Sequence, residues 1–441
     1  MSWCYVELFA TLALMLKKSS RKPSQPGFAH PLLLLVFAVV IAAVGFAGWH
    51  VYQRNKPAAG NLGYNQAESQ EQTGGNCSGS GSATIGAPMP LNQVSFVLPY
   101  GSVVGGHVTP IDHQYYNGLD VHALRDTYDV IAPASGAIVS IEHRGTKVNT
   151  PAHSVDLPSS DEYRLVMAHS CSFLTYVDLV TSLSSNVKSH LPTGWNPLKG
   201  FSGSIPITKG EVIGHIGGQT LDFAVWDLSK PLKGFVSYAD YTAESWKPYT
   251  APPTNYMDAA TKAAVIAKYV RTVAPVDGKI DYDIDGKLIG NWFLVGSGGY
   301  HAQSNTAQDY WVGHLSIAPD SIDPSVYIAS IGNYYTYPGA SGGADAAQFM
   351  IQTATPDPVT VGQSSGLVKY QLVGKSYVLQ DGQQWGNSSL ATGMKAVSQG
   401  PVQGTVLAQL TGNRTLKFEA FPGKTAAQVS GFDANAKTYT R

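Results

Sequence analysis

The sequence predicts a mainly β protein: an apolar anchor helix, a first β-sheet domain, one connecting helix and a C-terminal all-β domain. Three observations carry this expectation. Short β-branched and aromatic runs alternate with Gly, Asn and Asp turns over most of the chain. One stretch, from about Asn255 to Arg271, instead repeats apolar residues at helical spacing (Tyr256, Ala259, Ala260, Ala263, Ala264, Ala267, Val270). Near the N-terminus, Leu32 to Trp49 runs without a charge and is long enough to cross a hydrocarbon core as a helix.

The length of 441 residues exceeds one typical domain, so two folded modules plus connections are expected. Charged residues make up 13% of the chain, about half the usual share. The apolar total of 44% suffices for a core and argues against global disorder. A net charge of −1 lacks the basic footprint of a nucleic-acid binder, and no nucleic acid is expected as partner.

The anchor is expected over 31–52, with a cytoplasmic segment 1–30 before it, because Lys17, Lys18, Arg21 and Lys22 lie on the N-terminal side. This reading makes the chain a single-pass membrane protein with its bulk extracytoplasmic. A cleaved signal peptide is the alternative, with Gly45-Phe46-Ala47 as a small-residue site, but the run is longer than the usual h-region. Trp3 to Leu16 is short and contains Glu7, so it makes a poor second span; Met15 is an alternative start.

Residues 53–93 are rich in Gly, Ser, Asn, Gln and Pro, centred on Gly74 to Ser82, and read as a flexible tether. Cys77 and Cys171 both follow the anchor; a disulfide between them and free thiols or intermolecular pairing are equally open. No Cys-x-x-Cys pair exists, which excludes a structural zinc knuckle. The first module spans 94–250 and ends where Pro252-Pro253 breaks the chain; the connecting helix lies within 251–274 and the second module covers 275–441.

Within the first module, Asp129 to Ile141 reads as two buried strands around a Pro133-Ala134-Ser135-Gly136 turn. Ile207 to Gly218 repeats the strand, turn, strand pattern around Lys209-Gly210. Together with their neighbours, these elements resemble the LytM- or lysostaphin-type zinc endopeptidases that cut peptide cross-links in bacterial cell walls. The likeness covers about residues 95 to 230. Biotinyl and lipoyl carrier domains share similar hairpins but need a modified Lys at a hairpin tip, which is not evident here.

The resemblance implies a metal site built from a His-x-Gly-hydrophobic-Asp motif and a final His-Leu-His-Phe strand, with a Tyr-x-His-Leu strand supplying a catalytic His. In Tyr116-Asn117-Gly118-Leu119-Asp120, Asp120 matches the carboxylate ligand and Tyr116 stands where the His belongs. Tyr176-Val177-Asp178-Leu179 puts Asp178 in a catalytic His position. Thr220-Leu221-Asp222-Phe223 puts Thr220 in the other catalytic position and Asp222 in the place of the ligand His. Four of the five functional positions have thus changed.

A set of two carboxylates and a tyrosine is too hard and too anionic to favour zinc, and no imidazole remains in the motif to move a proton near neutral pH. A pseudoenzyme that binds cell-wall peptide or an envelope protein, without a cofactor, is therefore expected. The alternatives are an active endopeptidase whose nonstandard zinc site uses His113 or His169 with Asp120 and Asp222, and a structural envelope scaffold or adhesin. His122, two residues after Asp120, shares its face only if the strand is regular there.

In the second module, Asp281, Asp283 and Asp285 before Gly286 match the opening of a calcium loop, but position twelve is Trp292 rather than Glu. The preferred reading is a hairpin with an Asp285-Gly286 turn and weak calcium binding through the exposed carboxylates. Gly290-Asn291-Trp292 resembles the Gly-x-Trp of lipocalin barrels. The dense aromatic residues, Trp292, Phe293, Tyr310, Trp311, Tyr327, Tyr334, Tyr335 and Tyr337, fill a β core or form a glycan or partner surface.

Overall fold

Strands with side chains alternating between two buried faces dominate the chain, because Val, Ile, Tyr, Phe and Thr recur with period two between Gly-rich turns. The computed structural model describes residues 63–144, 146–149, 154–157, 162–300, 311–341 and 346–441. The protein is mainly β. The first body holds β1 (Val94–Leu98), β2 (Gln114–Gly118), β3 (Tyr128–Ile131), β4 (Gly136–His143), β5 (Thr146–Asn149), β6 (Ser154–Leu157) and β7 (Tyr163–Ser170). It continues through β8 (Phe173–Val180), β9 (Ser182–Leu183), β10 (Phe201–Ile207), β11 (Val212–Ile216), β12 (Leu221–Asp227) and β13 (Thr250–Ala251).

The large sheet runs β1-β2-β12-β8-β7-β4-β10, with β13 on β12, and a three-stranded sheet β3-β11-β9 packs on it. Both turns singled out in the sequence carry the chain from one sheet to the other: β3 to β4 through Pro133 to Ser135, and β10 to β11 through Lys209-Gly210. Gly210 has φ +83°, and a Cβ on Gly136 would sit 2.3 Å from the Ala168 carbonyl oxygen, so both turns require glycine.

The second body is a closed barrel of β14 (Gly290–Leu294), β15 (His314–Pro319), β16 (Tyr327–Ile331), β17 (Ala347–Ile351), β18 (Val368–Val378), β19 (Lys395–Gly412), β20 (Thr415–Pro422) and β21 (Lys437–Thr440). Strands pair in sequence order and β21 closes onto β14, the up-and-down arrangement. Trp292 of the Gly-x-Trp lies in the core, donating from Nε1 to the Leu288 carbonyl at 2.8 Å. The Arg441 guanidinium stacks 3.9 Å from its ring centroid and donates to the Ile289 and Ile284 carbonyls, both at 2.6 Å. Both bodies belong to one unit, Asn61–Arg441.

Several expectations are corrected. The tether is folded from residue 63 on: α1 (Gln66–Thr73) is capped by the Asn65 side chain on the Glu68 N–H, and Ile85 and Met89 are buried. Cys77 and Cys171 form a disulfide, which staples this segment to the β7–β8 hairpin. Residues 53–62 lie outside the described residues.

Besides a short α2 (Ser185–Ser189), the connecting helix is reduced to α3 (Ala259–Ile266). The Asp258 side chain caps α3 on the Thr261 N–H, fixing its start, and Pro252-Pro253 lead into a 3-10 turn. Beyond it the backbone joins the edge of β1, with Val97 N–H donating to the Lys268 carbonyl and Val270 N–H to that of Val97, which ends the helix.

The single-pass membrane placement is also corrected: no helix among the described residues is long and apolar enough to cross a membrane. The run Leu32 to Trp49 that carried that expectation lies outside the described residues.

The calcium loop and its hairpin do not form. Ile284 to Lys287 makes the expected Asp-Gly turn, closed by the Lys287 N–H on the Ile284 carbonyl, but no ladder flanks it. The three carboxylates diverge. Asp281 accepts from the Gly234 N–H and Lys279, Asp283 from the Asn291 and Val236 N–H groups, and Asp285 pairs bidentately with Arg414.

Candidate functional site

The period of two decides which predicted residues can meet. On β12, Leu221, Phe223 and Val225 face the core between the sheets, while Asp222, Ala224 and Trp226 face the other way. Register carries that second face across the sheet: Asp222 lies opposite Asp178 of β8 and Tyr115 of β2, and Ala224 opposite Tyr176. Arg164 of β7 reaches this stripe with its guanidinium on Asp178, and His113 reaches it from just before β2.

The proposed ligand set is therefore split. Asp222 and Asp178 come together. Tyr116 lies opposite Leu221 and stacks edge-on to Phe223 in the core of the opposite face. Asp120 is exposed in the loop after β2, where its Oδ1 accepts from the His122 N–H at 2.8 Å. His122 thus sits in a local turn rather than a strand. Thr220 precedes β12, half-buried. His169 is bound elsewhere, to the Ser135 carbonyl at 3.0 Å and the Thr175 hydroxyl at 2.8 Å. Only His113, of the substitute histidines, joins the stripe. Among the described residues no three His, Cys, Asp or Glu side chains converge as a metal-binding group.

Arginines dominate the end of the stripe at Asp178. Arg164 Nε lies 2.9 Å and Arg144 Nη2 3.2 Å from Asp178 Oδ2, and the Leu179 N–H donates to Oδ1 at 2.8 Å. The Arg164 guanidinium also stacks against Tyr176, 4.8 Å away, and Trp246, 5.6 Å away. Burial alone would raise the Asp178 carboxyl, but Arg164 and then Arg144 outweigh it and hold it below the usual carboxylate range.

At the other end, His113 Nε2 lies 3.3 Å from Asp222 Oδ2, and His113 Nδ1 lies 2.9 Å from the Tyr176 hydroxyl and 3.5 Å from Asp112 Oδ1. Asp112 accepts from Trp246 Nε1 at 2.9 Å and pairs with the buried Lys247 ammonium at 3.4 Å. Lys247 in turn reaches Glu244 at 3.0 Å and the Tyr300 hydroxyl at 3.1 Å.

Burial pushes the Asp222 carboxyl up to about 7 against the pull of His113, and Asp178 adds to the rise. Burial would lower His113, but Asp222 and Asp112 outweigh it and hold the imidazole above its ordinary value. Asp222 Oδ1 has no hydrogen-bond partner among the described residues. His113 Nε2 likewise makes no hydrogen bond among the described residues, so the two groups face each other as an ion pair, and the pair is enclosed: His113 is 5% and Asp222 7% exposed. Phe235, Tyr241 and Trp246 from the excursion after β12, with Phe293 and Tyr300 from the second body, cover the same sheet face.

The raised Asp222 gives a pH signature. Between about pH 4 and 7 the folded state binds more protons at this group than the unfolded chain, so its contribution to stability is present below that window and lost as pH rises through it. Asp222→Asn is therefore expected to stabilise the protein at pH 8 relative to wild type, on the order of 1 kcal/mol or more, with a smaller gain at pH 5. Urea unfolding at the two pH values measures this difference. Equal effects at both pH values would show that the carboxyl is not raised.

The sequence reading missed Arg164, Arg144, Asp112, Trp246 and Lys247. Arg164 had a signal, as a charge inside the apolar strand Tyr163-Arg164-Leu165-Val166-Met167 that demands a buried counter-ion. Lys247 has only the nearby Glu244 as a local signal, since Asp112 and Tyr300 come from distant segments. Comparison with known proteins finds no matching family model and no matching curated protein.

Proposed function

We propose that the first body is a degenerate LytM-type module that binds cell-wall peptide without cutting it. The family resemblance rests on the sequence motifs alone. The observation that carries the functional reading is the clamp of Arg164 and Arg144 on Asp178. Where the family's chemistry needs an imidazole to move a proton, this chain holds a carboxylate fixed as an anion by two guanidinium groups. Two arginine cations there also oppose a nearby metal dication. Arg144 and Arg125 are paired with Asp178 and Glu162 but half-exposed, so a peptide carboxylate reaching the open end of the stripe would meet two guanidinium groups.

Co-sedimentation of the full-length chain with purified peptidoglycan, alongside an assay for newly released amino groups in added zinc, tests this reading. Retention on the polymer without amine release is expected, weakened several-fold by Arg144→Ala. Amine release that Asp222→Asn abolishes would overturn it, and so would failure to sediment. Retention unchanged when the peptide stems are removed would point instead to an envelope-scaffold role.

A further inference from the structure

We propose that the cleft between the sheet body and the barrel is a binding site for a neutral saccharide. The β18–β19 pair runs past the barrel wall as an arm: its register slips at Leu372, Val373 and Gly374, and the pairing then continues from Gly374 and Gln399 to Val378 and Lys395. The arm and its tip lean on the edge of the sheet body. Trp385 packs edge-on against Phe96 of β1, ring centroids 5.6 Å apart, and against Tyr377 at 6.1 Å. Between arm and sheet remains a cavity of about 560 Å³, a volume typical of small-molecule sites.

Its lining names the chemistry. Phe96, Tyr115, Tyr377 and Trp385 line it with aromatic rings, Phe96 and Trp385 being largely buried, and Gln384 and Gln399 lie exposed at the rim with side-chain amides that both donate and accept. Lys375 is the only charged lining residue, and it is already paired with the buried Asp320, which also accepts from the Tyr377 hydroxyl at 2.7 Å. No uncompensated charge is left to select an ionic ligand. Aromatic rings beside neutral donor and acceptor groups fit a ligand with C–H faces and many hydroxyls.

A peptide adding itself as a strand is disfavoured, because residues 268–270 already occupy the free edge of β1. The lining contains neither arginine of the clamp, and it meets the stripe only at Tyr115, opposite Asp222.

The test is a titration of the full-length chain with N,N′-diacetylchitobiose, cellobiose and triglycine, followed by tryptophan fluorescence and calorimetry. Saturable binding of at least one disaccharide and none of triglycine is expected. Trp385→Ala is expected to weaken binding about ten-fold or more. Because Trp385 also packs against Phe96, the rim variant Gln384→Ala/Gln399→Ala serves as a second probe, expected to weaken binding about ten-fold with unfolding unchanged. Binding of triglycine alone, of no probe, or of disaccharides equally by the rim variant would overturn the proposal. The disaccharides carry no peptide, and retention on the wall polymer that survives Trp385→Ala but falls in Arg144→Ala separates the peptide reading from this site.

Discussion

Arg164→Met is expected to lower the stability of the folded protein by about 3–5 kcal/mol, the range for removing one partner of a buried ion pair. The Arg164 side chain is 14% and that of Asp178 2% exposed, so the orphaned carboxylate has little water to turn to. Arg144 remains 3.2 Å away, but it is more than a third exposed and its help is screened. The variant also loses the stacking of the guanidinium on Tyr176 and Trp246.

Two further readouts separate this cause from simple loss of packing. Asp178 is held low in the folded state, so it contributes stability present above its unfolded pKa and lost as pH falls through the folded one. Arg164→Met should therefore show its largest penalty near neutrality and a smaller one in acid. The double variant Arg164→Met/Asp178→Leu should recover most of the loss, since no buried charge is then left unpaired. A double variant no more stable than Arg164→Met would show that the clamp is not the source.

Replacing both cysteines, Cys77→Ser/Cys171→Ser, is expected to cost about 2–5 kcal/mol. The bond closes a sequence separation of 94 residues, so the unfolded chain gains considerable freedom without it. The loss should also be local. The chain near Cys77 is held to the β7–β8 turn by Gly81 N–H donating to Ser172 Oγ at 2.8 Å, Ser170 Oγ donating to the Gly81 carbonyl at 2.6 Å and Cys171 N–H donating to the Gly79 carbonyl at 3.1 Å. New protease cleavage between Gly74 and Ser82 in the double variant, absent from wild type, would locate the effect there. Unchanged unfolding in both assays would mean that the disulfide contributes nothing to this segment's order.

The fold was legible where the pattern is local. The two Gly-rich turns and the β character of both modules follow from period-two alternation and from glycines at close approaches, as at Gly136 and Gly210. The segment around Cys77 has the composition of a tether, while its order comes from a covalent bond and hydrogen bonds to residues far along the chain. After Pro253 the helical spacing continues past Ile266 in the sequence, but the helix ends there because β1 offers the backbone better partners from Lys268 on.

The site was legible only in part, for a geometric reason. Asp222 and Asp178 are singled out by motifs of the resemblance, and they meet because each lies within a strand whose register pairs them. Tyr116 and Asp120 follow from the same motif, yet one-residue parity sends Tyr116 to the opposite face, and the chain turns outward before Asp120. The groups that decide the electrostatics, Arg144, Arg164 and Lys247, belong to no motif. Their roles depend on which carboxylates they meet.

Calorimetric titration of zinc into the full-length chain at neutral pH tests most directly the proposal that this stripe of arginines, carboxylates and one imidazole takes no zinc. The account predicts no stoichiometric binding, because Asp178 is neutralised by two guanidinium groups and Asp222 faces a single imidazole, His113. One equivalent of tightly bound zinc, lost in Asp222→Asn, would contradict it.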